Sequence, residues 1–454
     1  MKILKQSIII AGILIVASLV SCSKDTEEVE KTEEAEEVVN ISSSPNIILL
    51  IGDDLGWDAI GNYPGISSTK ANTPTLDSLA RNGVTFTNYW VNPVCAPTRA
   101  ATITGKYAFR TGVGGVQTPP TAVLNSSETI IHKYIKDKTS NSYATALIGK
   151  WHLSTASDLN APENFGVDYF SGILLGAVFD YFDWSETSGG TQQDITTYTT
   201  THFVNQSVDW IQQQSKPFFL WLAFNAPHAP FHRPPLDLIS DQSLSNNMAE
   251  INSNPLPYYL ASIEAMDKEI ARLIASLTPD QKENTVFVFM GDNGTPGDVA
   301  QAPFTRLNSK GTLYQGGVNA PLIICGKDIS RANEVETALV QAPDMFATLA
   351  DLAGAGSENY EDGISIKPLL NDANAAKRSY LYTEQFASTN MKNDGEAIRN
   401  LQYKYIQLDN QDEGFLLYDL SADPFEQHNL MTGNLSEEAQ ENFNELKAIK
   451  DGLN

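Results

Sequence analysis

The stretch Asn46-Ile47-Ile48-Leu49-Leu50-Ile51-Gly52-Asp53-Asp54 decides the fold of this chain. An unbroken apolar run, without alternation between apolar and polar residues, is typical of a strand buried on both faces of a parallel sheet. The run ends in a glycine and two aspartates. The strand would therefore deliver carboxylates to one edge of that sheet.

Three further apolar runs, at residues 144–148, 218–224 and 285–290, end in the same way. They lead into the polar clusters Gly149-Lys150-Trp151-His152, Asn225-Ala226-Pro227-His228 and Gly291-Asp292-Asn293-Gly294. Helical patterns lie between the runs, at residues 75–82, 127–136, 198–213 and 257–277. Strands that alternate with helices predict an α/β fold with a large doubly wound sheet, mostly parallel but mixed, flanked by helices. Ligands bind such sheets beyond the carboxyl ends of the strands, so we expect the clusters to form one site.

The last part of the chain has a different pattern. Short strands with polar interruptions are predicted at 403–407 and 415–418, and a charged helix at 436–450. These elements predict a smaller C-terminal α+β subdomain that contains an antiparallel sheet. We place the main domain at 46–372 and this subdomain at 373–454.

Composition limits the classes of function. The 454 residues include 30 basic and 55 acidic side chains, a formal net charge of −25, which excludes binding of nucleic acid through a basic surplus. The hydrophobic content of 42% is enough for a sizeable core. Three cysteines, Cys22, Cys95 and Cys325, are too few for a disulfide framework in a chain of this length.

The start of the chain reads as an export signal. Lys2 and Lys5 precede an apolar run at 8–20 that is short for a bilayer span, which predicts a signal peptide over 1–21. The residues Leu19-Val20-Ser21-Cys22 resemble the lipobox of bacterial lipoproteins, which implies a lipid anchor on Cys22; a plain secretory signal is the alternative. Residues 22–45 are acidic and predict a solvated tether. We expect an exported lipoprotein at the outer membrane or cell surface of a Gram-negative bacterium, or on its periplasmic face.

The two acidic strand ends suggest a metal. Asp53, Asp54, Asp292 and Asn293 offer oxygen ligands, which suit Ca²⁺ or Mg²⁺ better than Zn²⁺. Either pair alone would more often form a turn or a helix cap. Both pairs after matching strands favour the metal.

Basic and histidine side chains follow the other strands. Lys150 and His152 lie two residues apart, so they would face the same way in an extended segment. His228 follows another strand, and Lys310 lies in a polar loop. The chain has six histidines, and two of them directly after core strands point to acid-base work rather than to a structural role.

The most specific signal surrounds Cys95. It lies in Asn92-Pro93-Val94-Cys95-Ala96-Pro97-Thr98-Arg99, followed by Thr104-Gly105-Lys106. This segment resembles the C-x-P-x-R…TG signature of type I sulfatases, where a maturation enzyme oxidises the cysteine to Cα-formylglycine. The resemblance extends from Asn46 to about Leu430, and it implies an alkaline-phosphatase-like fold, one Ca²⁺ ion and hydrolysis of sulfate esters.

The resemblance also implies roles for single residues. Ca²⁺ would be held by Asp53, Asp54, residue 95, Asp292 and Asn293. Arg99, Lys106, Lys150 and Lys310 would offset the charge of the transferred group, His228 would protonate the leaving oxygen, and His152 would take a proton from residue 95. Three positions depart from the family pattern: Thr102 replaces a usual leucine, Ser154 a glycine and Asn319 an arginine.

Two other classes of function stay open at this point. One is a phosphatase or phosphonate hydrolase of the same fold, although Cys95 and the shortage of histidines argue against it. The other is an inactive glycan-binding surface lipoprotein, which would apply if Cys95 stayed a thiol. A protein at the cell surface meets polymers outside the cell, so the expected substrate is a sulfated carbohydrate.

Overall fold

The computed structural model describes residues 44–61, 63, 66–116, 123–356, 359–387, 391–409 and 414–453. The predicted signal peptide, Cys22 and most of the predicted tether lie outside the described residues. None of the helices in the described part has both the length and the apolar character needed to span a bilayer.

The strands are numbered in chain order. They are β1 Asn46–Gly52, β2 Gly83–Trp90, β3 Ala144–Lys150, β4 Tyr169–Ile173, β5 Trp184–Ser188, β6 Thr191–Ile195, β7 Phe218–Ala223, β8 Thr285–Gly291, β9 Leu322–Gly326, β10 Glu334–Gln341, β11 Asn359–Tyr360, β12 Gly363–Ile364, β13 Leu381–Gln385, β14 Gly395–Arg399, β15 Tyr403–Leu408 and β16 Phe415–Asp419.

The helices are numbered in the same way. They are α1 Pro74–Arg81, α2 Cys95–Thr104, α3 Ala108–Thr111, α4 Ile131–Lys138, α5 Ala161–Asn164, α6 Thr199–Gln212, α7 Met248–Ser253, α8 Leu256–Ser276, α9 Pro279–Glu283, α10 Gln315–Val318, α11 Asp344–Leu352 and α12 Glu437–Asp451.

Ten strands form one sheet, in the order β10-β2-β9-β8-β1-β7-β3-β4-β5-β6. The central strands β8, β1, β7, β3 and β4 pair in parallel, whereas β9 runs antiparallel to both of its neighbours and β5 and β6 are antiparallel at one end. The predicted mixed, mostly parallel sheet is therefore confirmed. The strand that opens the described chain lies in its middle.

Helices cover both faces of this sheet. Because successive side chains of a strand point to opposite sides, β1 contributes to the core on each face. Ile47, Leu49 and Ile51 enter the core that β1 shares with α2, α4 and α11. Ile48 and Leu50 enter the core shared with α1, α6 and α8. Burial on both faces explains why the sequence of β1 is apolar without alternation.

The second sheet confirms the predicted C-terminal sheet. Its four strands run in the order β13-β14-β15-β16, and all neighbours are antiparallel. Helix α12 packs Leu446 and Ala439 against Tyr405 and Leu417 of this sheet. The division into domains at 372 and 373 stays a prediction.

The five predicted helices correspond to α1, α4, α6, α8 and α12, and the other seven helices of the described residues were not predicted. The pattern at 127–136 predicts an earlier start than the observed one, because α4 begins at Ile131. Helix α2 was not predicted at all. Its Pro97 and several β-branched residues lower helix propensity, and all ten of its residues are buried, so it has no polar face to reveal its period.

Candidate active site

The polar clusters meet where the central strands end. Asp53 and Asp54 follow β1, and Asp292 and Asn293 follow the neighbouring β8. The backbone amide of Asp54 donates to Oδ1 of Asp292 at 3.1 Å. On the other side of β1, the amide of Asp53 donates to the carbonyl of Ala226 at 3.1 Å, just before His228. The parallel pairing of β1 with both neighbours thus gathers three clusters.

Two carboxylates and two cations form the buried part of the site. Lys150 Nζ donates to Asp53 Oδ2 at 2.7 Å, and both groups are fully buried. Arg99 Nη2 donates to Asp292 Oδ2 at 2.6 Å and lies 4.0 Å from Asp53 Oδ1. Arg99 Nη1 also donates to the carbonyl of Lys150 at 2.9 Å, which ties α2 to the end of β3. Buried charges persist only when they are paired in this way.

The pairing with Lys150 and Arg99 does not satisfy Asp53 completely. Burial raises the pKa of Asp53 to about 8, Lys150 opposes this effect, and the nearby carboxylates of Asp292 and Asp54 add to it. Its Oδ1 atom is buried and accepts no hydrogen bond from the described residues, and the same is true of Asn293 Oδ1. Two orphaned oxygens beside clustered carboxylates are what a hard cation would satisfy.

The possible ligand atoms lie close enough together for one ion. Ligand atoms of Asp53, Cys95 and Asp292 lie within 4.8 Å of one another, and so do those of Asp53, Asp54 and His228. These two groups share Asp53 and contain three carboxylates, one thiol and one imidazole, and the orphaned amide oxygen of Asn293 belongs to the residue next to Asp292. The residues present therefore fit a Ca²⁺-type cation.

Asp54 faces the opposite rim of the site. Asn293 Nδ2 donates to its Oδ1 at 2.9 Å, Lys310 forms an ion pair with the same oxygen, and His228 Nε2 lies 3.7 Å from Oδ2. Burial raises the pKa of Asp54, but at the low pH where Asp54 titrates, the charges of protonated His228 and of Lys310 outweigh this effect and hold the pKa well below its usual range. Asp54 is therefore ionised. Its carbonyl accepts a hydrogen bond from Tyr259 Oη at 2.9 Å.

Cys95 is the first residue of α2 and is almost fully buried. The amino end of a helix is positive and favours a developing negative charge there. The thiol Sγ lies 3.3 Å from His152 Nδ1. Burial raises the pKa of Cys95, with Lys150 opposing this effect, so the unmodified residue is a neutral thiol.

The expected extended geometry of His152 is wrong. Its φ of 59° is left-handed, so Lys150 and His152 do not continue as a strand. Lys150 reaches Asp53, while the imidazole of His152 turns to Cys95. Burial, followed by the charge of Lys150, lowers the pKa of His152 well below its usual value and keeps the ring neutral. A Cβ at Gly176 would lie 2.4 Å from this ring, so the loop needs a glycine there.

His228 lies beside Asp54 with one ring nitrogen already committed. Its Nδ1 lies 2.6 Å from the carbonyl of Ala229, which can only accept, so Nδ1 carries the proton. Burial lowers the pKa of His228 to about 4; the charge of Asp54 opposes this effect, and the charges of Lys310 and Lys150 add to it. The free Nε2 faces the site.

The candidate Lys106 and the departure from the family pattern at Asn319 both make contacts outside the cluster. Lys106 donates to Glu128 at 2.8 Å and lies 3.9 Å from Glu361, so its charge is engaged by these carboxylates rather than by the cluster. Asn319, where the family pattern has arginine, is fully buried and donates to the carbonyl of Thr87 at 3.0 Å. Neither side chain is brought to the other candidates.

Sequence reasoning missed two tyrosines that hold the site together. Tyr181 Oη donates to the carbonyls of Asn225 and His228 at 2.8 and 2.6 Å, and Tyr259 supports Asp54. Neither tyrosine lies in one of the motifs recognised in the sequence. Their hydroxyl contacts depend on tertiary structure that no local pattern reveals.

The chain is similar in sequence to two known protein families. The model of the family described as Sulfatase matches residues 45–355, and that of N-sulphoglucosamine sulphohydrolase, C-terminal, matches residues 305–451. The chain is 28% identical over 330 residues to arylsulfatase J of Mus musculus, a match that covers 69% of this chain and 53% of that protein. It therefore spans about half the length of that relative.

Two other similar proteins match over more of their length. The ulvan-active sulfatase of Formosa agariphila is 27% identical over 441 residues, which covers 92% of this chain and 82% of that protein. The crystal structure of Ps i-CgsB in complex with k-i-k-neocarrahexaose superposes with a TM-score of 0.74 and 25% identity, covering 89% of this chain and 92% of that one.

Proposed function

The chain belongs to the sulfatase family, and from that premise we propose that it is a sulfuric ester hydrolase acting on sulfated sugars. One observation carries the proposal. Residue 95 opens a helix beside His152, and carboxylates, Lys150 and Arg99 converge on the same edge of the sheet. The sugar as substrate is supported by the similar proteins, one named for activity on ulvan and one bound to a neocarrahexaose.

The proposed nucleophile is residue 95 after oxidation of Cys95 to formylglycine by a maturation enzyme. The C-x-P-x-R motif supports this modification, and so does burial, which disfavours the thiolate that an unmodified cysteine would need as a nucleophile. As a hydrated aldehyde, this residue supplies two hydroxyls, one to attack sulfur and one to drive sulfate release. His152 lies at hydrogen-bond distance from Sγ and is placed to take a proton there.

The proposed metal is one Ca²⁺ ion held by Asp53, Asp54, residue 95, Asp292 and Asn293. The orphaned oxygens of Asp53 and Asn293 support it. When bound, the ion supplies positive charge that stabilises the sulfate group during transfer.

The positions of Lys150, Arg99, Lys310 and His228 support specific roles in the proposed reaction. Lys150 and Arg99 hold the inner carboxylates in place, and Lys310 lies on Asp54 at the outer rim, where it can face an anionic group. His228 is neutral in the free protein, with Nε2 open to the site. Its role as proton donor to the leaving oxygen requires it to gain a proton when an anionic substrate binds.

Export as a lipoprotein anchored through Cys22 is also part of the proposal, and it rests on the lipobox resemblance and the acidic stretch behind it. Cys22→Ser should move the protein from the membrane fraction to the soluble fraction. Unchanged fractionation would contradict the anchor.

A desulfation screen tests the proposed activity. Protein produced with the maturation enzyme should release inorganic sulfate from at least one defined sulfated oligosaccharide, whereas the Cys95→Ala variant should release none. A phosphate ester panel assayed in parallel tests the phosphatase alternative. Faster release of phosphate than of sulfate by the wild type would overturn the proposed function.

A further inference from the structure

Two loops extend from the site, one beside each histidine. The first loop, residues 174–183, follows β4 and begins at Leu174, whose carbonyl accepts from the amide of His152 at 3.1 Å. The second loop, residues 229–236, follows His228 directly. Tyr181 of the first loop donates to the carbonyl of His228 and so fastens the two loops together next to the site.

An aromatic cleft lies between these loops and the start of α7. Its volume is about 530 Å³, a size in the range of ligand pockets. Its walls include Phe179 and Phe182 from the first loop, His232 and Arg233 from the second, and Met248 from α7. Two lining residues connect the cleft to the proposed active site: Pro230 lies two residues after His228, and Tyr181 donates to the carbonyl of His228 at 2.6 Å.

The cleft exposes apolar rings that the fold does not use. Phe179 is 100% exposed, Phe182 37% and Met248 52%. Exposed apolar side chains scattered singly need no explanation, but a group of them beside a catalytic site marks a surface for a ligand. Rings presented in this way suit the apolar face of a sugar.

Contacts with neighbouring residues hold His232 in place in the lining of the cleft. His232 stacks on Tyr181 with ring centroids 4.0 Å apart. Its Nδ1 lies 2.9 Å from the carbonyl of Pro230, and its Nε2 lies 3.1 Å from the hydroxyl of Tyr198. Both ring nitrogens are therefore engaged, so this imidazole supports the cleft and takes no part in proton transfer.

Arg233 and Asp180 give the lining of the cleft one charge of each sign, and Asp180 Oδ1 accepts a hydrogen bond from the amide of Phe182 at 2.7 Å. Arg233 Nη1 donates to the carbonyl of Leu244 at 3.3 Å, and within the described residues its guanidinium forms no ion pair with a carboxylate. The guanidinium of Arg233 can therefore pair with an anionic group of a ligand, whereas Asp180 is already engaged by the backbone.

We propose that this cleft binds the sugar ring next to the one that carries the scissile sulfate, with its apolar face on Phe179 and Phe182 and an anionic substituent on Arg233. The inference rests on the proposed function and deepens it, because it makes the substrate an anionic oligosaccharide rather than a monosaccharide. The anionic substituent is a sulfate or a carboxylate.

Phe179→Ala tests the apolar contact, because a fully exposed side chain can be removed without loss of packing. Its kcat/KM should be compared on 4-nitrophenyl sulfate and on the sulfated oligosaccharide that the wild type hydrolyses fastest, from a panel that includes k-i-k-neocarrahexaose. We expect the ratio of oligosaccharide to aryl activity to fall about fivefold, which corresponds to the loss of one ring contact. The control Val335→Ala, a 61% exposed residue on the edge strand β10, should leave the ratio unchanged.

Arg233→Gln tests the charge. It should lower activity on the order of tenfold for oligosaccharides whose neighbouring ring carries a sulfate or a uronic carboxylate, and not for those with a neutral neighbouring ring. The sulfate and uronate members of the panel separate the two sources of charge. Equal effects on neutral and anionic members would overturn the role of Arg233.

The outcomes of these experiments also distinguish failure of the proposed cleft from failure of the proposed function. Hydrolysis of 4-nitrophenyl sulfate without hydrolysis or binding of any panel oligosaccharide would overturn the cleft and leave the sulfatase proposal standing. So would an unchanged ratio in Phe179→Ala. Calorimetric binding of an oligosaccharide that depends on Phe179, in a protein that hydrolyses no sulfate ester, would overturn only the proposed function.

Discussion

At the scale of single residues, the site is a balance of buried charge. Asp53 and Asp292 each have a cation within hydrogen-bond distance, yet Asp53 Oδ1 and Asn293 Oδ1 accept nothing from the described residues. A buried polar atom without a partner costs about 1–3 kcal/mol, so its presence in an otherwise satisfied cluster needs a reason. The proposed cation would supply that reason.

Asp54→Asn should weaken Ca²⁺ binding and turnover together, because one carboxylate less lowers the charge that holds the ion. Calorimetric titration with Ca²⁺ measures the first and hydrolysis of 4-nitrophenyl sulfate the second. The control Asp209→Asn, at an exposed position on α6, should change neither. Full activity of the wild type after chelation, with no divalent ion detectable in the protein, would contradict the metal site.

Variants of His228 and His152 should differ in how their rates of hydrolysis depend on the leaving group of the substrate. His228→Ala should reduce hydrolysis of sugar sulfates far more than hydrolysis of 4-nitrophenyl sulfate, because a phenolate leaves without much protonation. His152→Ala should instead give a burst of released phenol followed by slow turnover, because it slows the second step. Stopped-flow and steady-state rates on both substrates make the comparison. Equal losses without a burst in both variants would show that the rings only hold the sulfate.

Much of the residue-level site could be predicted, because its residues follow apolar strands in recognisable motifs. Asp53, Asp292, Lys150 and His228 come together since parallel strands bring their carboxyl ends to one edge. The left-handed backbone of His152 and the partners of Lys106 could not be predicted. Both depend on neighbours far away in the chain.

At the scale of elements, sequence patterns predicted β1, β3, β7 and β8 because each is buried on both faces and has a mostly apolar sequence. Burial had the opposite effect on helix α2. This helix was not predicted, because a helix that is buried on all sides shows no periodic pattern of apolar and polar residues. Its position could only follow from the motif at Cys95. In this fold, buried strands can thus be predicted from their apolar sequences, whereas the buried helix that carries the proposed nucleophile cannot.

Strand β13 carries a carboxylate with a defined effect on stability. Glu384 accepts from the amide of Phe109 at 2.7 Å, and burial raises its pKa to about 7. A raised carboxyl pKa means that the folded state binds this proton more tightly than the unfolded state. The stability it contributes is therefore complete below the unfolded pKa, near 4.5, and is lost as pH rises to about 7.

Glu384→Gln should remove this pH dependence, because the amide can still accept from Phe109 and never ionises. The variant should exceed the wild type in free energy of unfolding by as much as about 3 kcal/mol at pH 8 and by little at pH 4.5. Urea unfolding at both pH values measures the difference, with the exposed Glu250→Gln as control. A difference that does not vary with pH would refute this account of Glu384.

At the scale of the whole molecule, the small sheet supports the loop that follows Lys310. Lys404 of β15 donates to the carbonyl of Leu313 at 2.6 Å and pairs with the buried Glu426, which accepts from the amide of Gln315. Asn393 donates to the carbonyl of Gly311 at 2.7 Å. The antiparallel sheet was predicted from its short strands, but its contact with this loop was not, because buried ion pairs between distant segments leave no local pattern.

The central claim is that residue 95 performs the chemistry after oxidation from cysteine. The most direct test is mass spectrometry of the peptide that contains residue 95, in protein made with and without a maturation enzyme, together with turnover of 4-nitrophenyl sulfate by the same samples. We predict that turnover rises in proportion to the fraction of residue 95 present as the aldehyde and is absent from the thiol form. Full turnover by protein whose residue 95 is entirely cysteine would contradict the account.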